Sequence, residues 1–224
     1  MTPPAPRRRN IAPPRESVLA AAMATIAGHG LDGLTMAGLG REVGMSSGHL
    51  LYYFRTKDEL LLRTLEWNEG RLGVERGSLL SQQAPAAERL DLYVALYVPE
   101  GPGDPQWALW LEVVNRSQSA DADALARQAA IEDAWHQDLV ALLADGISRG
   151  EFRLVDADRF AARLRALLDG FSVPVAVGLP GTGRTQAIAH VREFLDDSLL
   201  NPVPSVLEEL GFGGSAPDKG PLAS

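Results

Sequence analysis

Cysteine is absent from the 224-residue chain, and its absence excludes several kinds of site. Disulfide bonds, zinc sites with thiolate ligands and cysteine nucleophiles all depend on that side chain. A chain without cysteine also fits the reducing cytoplasm, where we expect this protein to act. No apolar run approaches the ~18 residues of a membrane span, and the first residues lack the apolar segment of a secretory signal. We therefore expect no membrane partner.

Strand-like patterns are also missing from the sequence. No alternation of apolar and polar residues extends beyond a few positions, although a half-buried β-strand requires one. Hydrophobic residues make up 46% of the chain and charged residues 22%, which is ordinary for a folded globular protein. The apolar residues recur instead at intervals of three and four, the period of an amphipathic helix. The sequence therefore predicts an all-α fold of about nine helices.

Charge is distributed unevenly along the chain. Residues 1–57 contain seven basic and three acidic residues, a net charge of +4, whereas residues 58–224 contain 14 basic and 26 acidic residues, a net charge of −12. Binding to DNA needs a local positive face rather than a basic whole. The asymmetry therefore fits DNA binding by the first quarter of the chain, and it fits ordinary variation in surface charge equally well.

Changes in composition divide the chain into four segments. Residues 1–14 contain five prolines, which prevent a continuous helix, and predict a flexible basic arm. The Arg7–Arg9 run in this arm either contacts DNA or is simply solvated. Residues 15–60 predict a three-helix DNA-binding domain, and residues 61–200 predict a larger helical domain for ligand binding and dimerisation. Residues 201–224 form a tail rich in Pro and Gly.

Residues 34–61 have the pattern of a helix-turn-helix, in which a second short helix enters the major groove of DNA. Thr35 is a suitable N-cap for the first of the two helices, and Gly44 permits the turn that follows it. Ser46 or Ser47 then caps the short second helix. The T-x-x-E spacing of Thr56–Glu59 is that of a capping box and begins a long fourth helix.

The head resembles the TetR family of bacterial transcriptional regulators. The resemblance covers roughly Arg15 to Leu62 and is carried by T-x-x-x-L-x-x-x-V-G-M-S-x-G, followed by Y-Y-F, x-x-K and acidic residues before Leu. Body segments around Trp107–Trp110 and Gly150–Phe152 are similar to the choline-responsive BetI-like branch of that family. The resemblance implies a homodimeric repressor, which a small-molecule effector releases from a palindromic operator in double-stranded DNA.

The resemblance also implies roles for individual residues of the head. Ser47, His49 and Tyr52 would face base edges or nearby phosphates, while Thr35 and Lys57 would hold phosphates on either side. Gly48 would let the helix approach the DNA closely. The predicted DNA-binding residues are Thr35, Ser46, Ser47, Gly48, His49, Tyr52 and Lys57.

Three neighbours of these residues are interpreted differently. Tyr53 and Phe54 are expected in the core, because they complete the apolar side that Leu50 begins. Leu51 stands where many members of the family have a tyrosine that binds a DNA phosphate. Because Leu51 cannot donate a hydrogen bond, that contact is either absent or taken over by Tyr52.

Aromatic residues make up only 6% of the chain, yet several are concentrated in the acidic body. Together with nearby carboxylates they either fill a dry core or line a cavity for a cationic or neutral, partly apolar effector. The predicted pocket comprises Tyr93, Tyr97, Trp107, Trp110, Glu112, Trp135 and Asp169, with Glu132 and Asp133 as further carboxylates.

The last two predicted helices carry apolar stripes that suggest a four-helix interface with a second copy of the chain. Part of each stripe must face the chain's own core. The predicted interface residues are Phe160, Leu164, Leu167, Phe171, Ile188, Val191, Leu195 and Leu199.

Two other classes of function compete with a DNA-binding regulator. One is an enzyme with an appended helix-turn-helix, but the four histidines are scattered and no catalytic or phosphate-binding motif accompanies them. The other is a helical adaptor that has lost DNA binding, which the intact recognition positions argue against. We expect no catalytic residues, metal or cofactor.

Overall fold

The computed structural model describes residues 15–200, and these residues form nine α-helices without a β-strand. The predicted all-α fold and helix number are therefore confirmed for this part of the chain. The helices are α1 (Arg15–Gly33), α2 (Met36–Val43), α3 (Ser47–Phe54), α4 (Lys57–Leu80), α5 (Ala86–Tyr97), α6 (Pro105–Arg116), α7 (Ala122–Ser148), α8 (Ala157–Val177) and α9 (Arg184–Leu195). The predicted arm, 1–14, and tail, 201–224, lie outside the described residues.

Side-chain caps begin the helices of the head where the sequence predicts. The hydroxyl oxygen of Thr35 accepts a hydrogen bond from the Gly38 amide at 3.0 Å, and that of Ser46 accepts one from His49 at 3.2 Å. Thr56 likewise accepts from the amide of Glu59 at 3.0 Å. Each cap satisfies an N–H group that has no partner within its helix. The cap of α3 is thus Ser46 rather than Ser47.

Helix α1 is interrupted near its C-terminal end. Gly30 has a φ angle of 66°, in the left-handed region that favours glycine, so the helical hydrogen-bond pattern breaks there. The amide of Leu31, the next residue, donates instead to the Glu112 carboxylate at 2.8 Å. A side chain of α6 therefore takes over a backbone bond that α1 cannot make.

Two apolar cores lie next to each other along α4. The head core contains residues of α1, α2, α3 and the first part of α4, and it is completed by Leu109 and Val113 of α6. The body core joins the rest of α4 to α5, α7, α8 and α9. Trp110 and Ile131 pack against both cores. Among residues 15–200, no helix is long and apolar enough to cross a membrane.

Candidate DNA-reading helix and ligand cavity

Helix α3 is only two turns long, and its inner side is limited to two residues. Leu50 and Phe54, four positions apart, are buried in the head core with 0% and 4% of their surfaces exposed. Ser47, Gly48 and His49 are exposed, as is Tyr52 with 78% of its surface accessible. These four residues, predicted to contact DNA, therefore lie on the accessible side of one short helix.

Tyr53 does not lie in the core, contrary to the prediction, whereas the predicted burial of Phe54 is confirmed. Tyr53 is 60% exposed, because the spacing of Leu50 and Phe54 already fills the inner side of the helix. Its ring lies 5.1 Å from that of His49 and 5.5 Å from that of Tyr52. The outer side of α3 thus presents three adjoining rings.

Glycine holds α3 close to α2. A Cβ atom on Gly40 would lie 2.5 Å from the carbonyl oxygen of Met45, so a larger residue at this position would push the two helices apart. Gly44 ends α2 with a φ angle of 70°. Thr35 at the start of α2 and Lys57 at the start of α4 flank this pair of helices. The head is thus a tightly packed helix-turn-helix with its polar and aromatic side exposed.

The body contains a narrow cavity between α4, α5, α6, α7 and α8. The space between its lining residues is about 380 Å³, part of which is open to solvent. The cavity is lined by Glu69, Tyr97, Gln106, Trp107, Trp110, Ile131, Glu132, Trp135 and Arg165.

Aromatic rings form one wall of this cavity, and hydrogen bonds fix their orientation. The Trp107 indole N–H donates to the carbonyl oxygen of Tyr97 at 2.9 Å, and that of Trp135 donates to Glu69 at 2.7 Å. The Tyr97 ring lies edge-on to both indoles, with centroids 5.9 Å from Trp107 and 5.1 Å from Trp135. Trp110 is only half-buried, so its ring is more accessible to a ligand than that of Trp107.

The electrostatics of the cavity are mixed. Burial raises the pKa of Glu69, while its hydrogen bonds to Trp135 and Arg76 act in the opposite direction. The Arg76 guanidinium lies 4.0 Å from the centre of the Trp135 ring, a cation–π contact. Glu132 adds a second carboxylate, and Arg165 adds a cation. One indole of this wall therefore already binds a cation on one face.

Comparison with known proteins matches two segments of the chain to established families. Residues 18–64 match the model for bacterial regulatory proteins of the tetR family. Residues 86–200 match the C-terminal domain of BetI-type transcriptional repressors, so that the second match alone covers half of the chain. The chain belongs to the TetR family. It is a DNA-binding transcriptional regulator and not an enzyme, as the sequence predicts.

Individual relatives agree with this assignment. The HTH-type transcriptional regulator BetI of Brucella anthropi is 28% identical over 188 residues, which cover 83% of this chain and 93% of the relative. A regulator from Saccharomonospora viridis, solved in complex with choline, is 28% identical with a TM-score of 0.76 and covers 84% of this chain and 98% of its own. A TetR regulator from Haloarcula marismortui is 25% identical with a TM-score of 0.68, covering 82% and 97%.

Three residues predicted for the pocket of this TetR-family protein lie elsewhere. Tyr93 is fully buried, and its hydroxyl donates to the carbonyl oxygen of Trp135. Glu112 points to the head, where it binds the Leu31 amide. Asp169 accepts a hydrogen bond from the Tyr97 hydroxyl and does not line the cavity. Helical spacing gave the correct helices for these residues but not the direction in which each side chain points.

The cavity also contains residues that the sequence analysis missed, namely Glu69, Gln106 and Arg165. One signal was present on α4, where Leu65 and Leu72 define an inner stripe and Glu69 occupies a position within it. A charged residue in the middle of an apolar stripe is unusual unless it has a partner or a function.

Most of the predicted interface residues belong to the chain's own core. Leu164, Val191 and Leu199 have none of their surfaces exposed and Leu195 has only 1%, so they have no surface left for a second chain. Phe160 is 7% exposed, stacks on Phe194 and is likewise buried. Only Leu167, Phe171 and Ile188 keep part of their surface accessible.

A different stripe of α8 faces outward. It follows helical spacing and consists of small and apolar residues, with Val173 38% and Val177 51% exposed. The stripe comprises Ala166, Gly170, Val173 and Val177. The apolar period of α8 predicts the inner stripe as the interface, because such a period does not reveal which apolar side packs inside its own chain.

Proposed function

We propose that this TetR-family regulator is a homodimeric repressor that leaves its operator when a small quaternary ammonium compound occupies the cavity. The observation that carries the proposal is the cavity itself, in which four aromatic residues adjoin two carboxylates. Quaternary ammonium groups cannot donate hydrogen bonds, and proteins bind them on aromatic faces at about 0.5–2 kcal/mol per ring. The choline bound to the Saccharomonospora viridis relative supports this class of effector.

Helix α6 provides a route from the cavity to the head. One side of this helix places Trp107 and Trp110 at the cavity, while Leu109 and Val113 on another side belong to the head core. A ligand that shifts α6 would therefore move the packing surface of α1. Release also requires the ligand to bind the DNA-incompetent state more tightly, and each factor of ten in operator affinity needs about 1.4 kcal/mol of that preference.

The outward stripe of α8 supports the dimer. Because Gly170 and Ala166 have little or no side chain, the same helix of a second copy can approach closely, and Val173 and Val177 supply apolar area. A two-fold axis through this surface would make the contact self-complementary. Such a dimer would present two α3 helices to operator half-sites about one turn of DNA apart.

A choline titration of operator-bound protein tests the proposal. The probe is a labelled fragment of the DNA upstream of the protein's own coding region, with release followed by fluorescence anisotropy and binding to free protein by calorimetry. We expect choline to bind and to lower the anisotropy. Trp110→Phe should weaken both effects, because Trp110 lines the cavity and is only half-buried. Trp67→Phe is the matched control, since Trp67 lies outside the cavity lining.

Two outcomes would contradict the proposal. Choline binding that is equally unaffected by both tryptophan substitutions would mean that the cavity is not the site. Absence of any choline binding to a folded protein that still binds its operator would exclude a quaternary ammonium effector of this size.

A further inference from the structure

Arg165 is the only cationic side chain that lines the cavity among the described residues, and its guanidinium has few partners. Its Nη1 donates to the main-chain carbonyl oxygen of Glu132 at 3.1 Å. Its Nε–H is buried and has no acceptor within residues 15–200. No carboxylate of these residues lies within 4.0 Å of the guanidinium, although Glu69 and Glu132 line the same cavity. The Nε–Nη2 edge of Arg165 therefore has no partner among residues 15–200.

Arg153 shares the unpaired Nε but does not line the cavity, and two other arginines of the body have a carboxylate partner. Arg89 also has an unpaired Nε, but its Nη2 binds the Asp145 carboxylate. Arg76, which is similarly buried, pairs with Asp138 at 2.7 Å. Arg165 is partly exposed, but its buried Nε–H has no acceptor, and a polar group withdrawn from water without a partner is unfavourable. Arg165 is thus the cavity residue to which an anionic ligand group could supply the missing counter-charge.

The two carboxylates of the cavity have partners other than the Arg165 guanidinium. Glu69 accepts from Trp135 at 2.7 Å and lies 3.5 Å from Arg76. Glu132 lies 3.5 Å from the side-chain amide of Gln128. A cationic ligand group would thus be placed beside aromatic rings and carboxylates, and Arg165 lines the same cavity.

We propose that the effector is a zwitterion whose quaternary ammonium group lies against the Trp and Tyr wall while its carboxylate accepts from the Nε–Nη2 edge of Arg165. The planar edge of a guanidinium presents two parallel N–H groups, which match the two oxygens of a carboxylate. This inference rests on the proposed function, because it takes the cavity as the effector site. A choline hydroxyl cannot neutralise Arg165, so a carboxylate in its place should bind more tightly.

Calorimetry on the full-length protein tests this inference with matched ligands. The probes are choline, three trimethylammonium carboxylates with one, two and three methylene groups between the charges, and the carboxamide of each. In the wild-type protein, at least one carboxylate should bind tenfold or more tightly than both choline and its own carboxamide. This comparison needs no substitution and is independent of any effect on folding.

Arg165→Met provides the second arm, with Arg163→Met as the control because Arg163 is an exposed neighbour on α8. We expect Arg165→Met to weaken the preferred carboxylate at least tenfold and to leave choline unchanged or bound more tightly, since a repelling cation has been removed. Arg163→Met should alter neither ligand.

Equal weakening of choline and carboxylates by Arg165→Met, or no carboxylate preference in the wild-type protein, would overturn the inference. If choline nevertheless binds and depends on Trp110, the proposed function stands and only the zwitterion is refuted. If no trimethylammonium compound binds, the proposed function itself fails.

Discussion

Replacing Glu112 by alanine should lower the free energy of unfolding by about 2 kcal/mol, because it removes a charged acceptor from a backbone amide. Glu112 Oε1 accepts from the Leu31 N–H at 2.8 Å, immediately after the left-handed Gly30. Glu112 Oε2 lies 2.6 Å from Arg116 Nη1, and Arg116 Nε lies 3.2 Å from Asp58 Oδ1. Hydrogen bonds to charged groups contribute about 1.5–3 kcal/mol, whereas a partly exposed pair of residues four apart contributes about 0.3–0.5 kcal/mol. The bond to Leu31 should therefore dominate.

Urea denaturation followed by far-UV circular dichroism measures this difference. Glu112→Gln keeps an oxygen acceptor for the Leu31 amide and should lower the free energy of unfolding by only about 1 kcal/mol. Arg116→Ala breaks the ion pairs alone and should lower it by about 0.5 kcal/mol. If Glu112→Ala were no more destabilising than Arg116→Ala, the bond between α6 and α1 would contribute nothing and the reasoning would be refuted.

The same substitution addresses the route from cavity to head. Glu112 does not line the cavity, so Glu112→Ala should leave effector affinity in the absence of DNA unchanged. It should nevertheless raise the effector concentration needed for operator release, because α6 has lost one of its attachments to α1. A parallel change in effector affinity would place Glu112 in the binding site instead.

Three further predictions concern other parts of the molecule. His49→Ala and Tyr52→Ala should each weaken specific operator binding by about 1–3 kcal/mol. Lys57→Ala should instead weaken binding to all DNA sequences alike and reduce the salt slope by about one unit. Anisotropy titrations at several salt concentrations distinguish these two patterns. Val173→Glu should convert a dimer into a monomer of 24.0 kDa by light scattering, and a wild-type protein that is already monomeric at micromolar concentration would refute the interface on α8. Burial raises the pKa of Glu69, so its protonation stabilises the fold below the ordinary value of 4.5, and this stabilisation is lost as the pH rises through the raised pKa. Glu69→Gln should therefore remove this part of the acid-side pH dependence of the urea midpoint. An unchanged pH dependence would contradict the assignment.

Local signals in the sequence predicted the head well. Thr35, Ser46 and Thr56 cap helices through hydrogen bonds that span only three residues, so the sequence contains everything that determines them. The turn at Gly44 could be predicted as well, because it too depends only on residues that are close in sequence. Tyr53 could not be placed, because a two-turn helix leaves too few residues to show which side is buried.

The body depended on packing that no local pattern records. Leu195 lies on an apolar stripe, but the sequence does not state whether its neighbour belongs to the same chain or to a second one. Tyr97, Trp107 and Trp135 could be grouped from their types, whereas Glu69 and Arg165 join them only through the arrangement of α4 and α8. Interactions between residues far apart in sequence therefore determine which residues line the cavity.

The completion of the head core by Leu109 and Val113 has a consequence for how the molecule unfolds. A fragment that ends with α4 would leave an apolar gap where α6 belongs, so we expect the head not to fold by itself. Head and body should instead melt in one cooperative transition. Amide hydrogens of α1 and α3 would then exchange with solvent more slowly whenever a ligand stabilises the body, although the ligand never touches either helix.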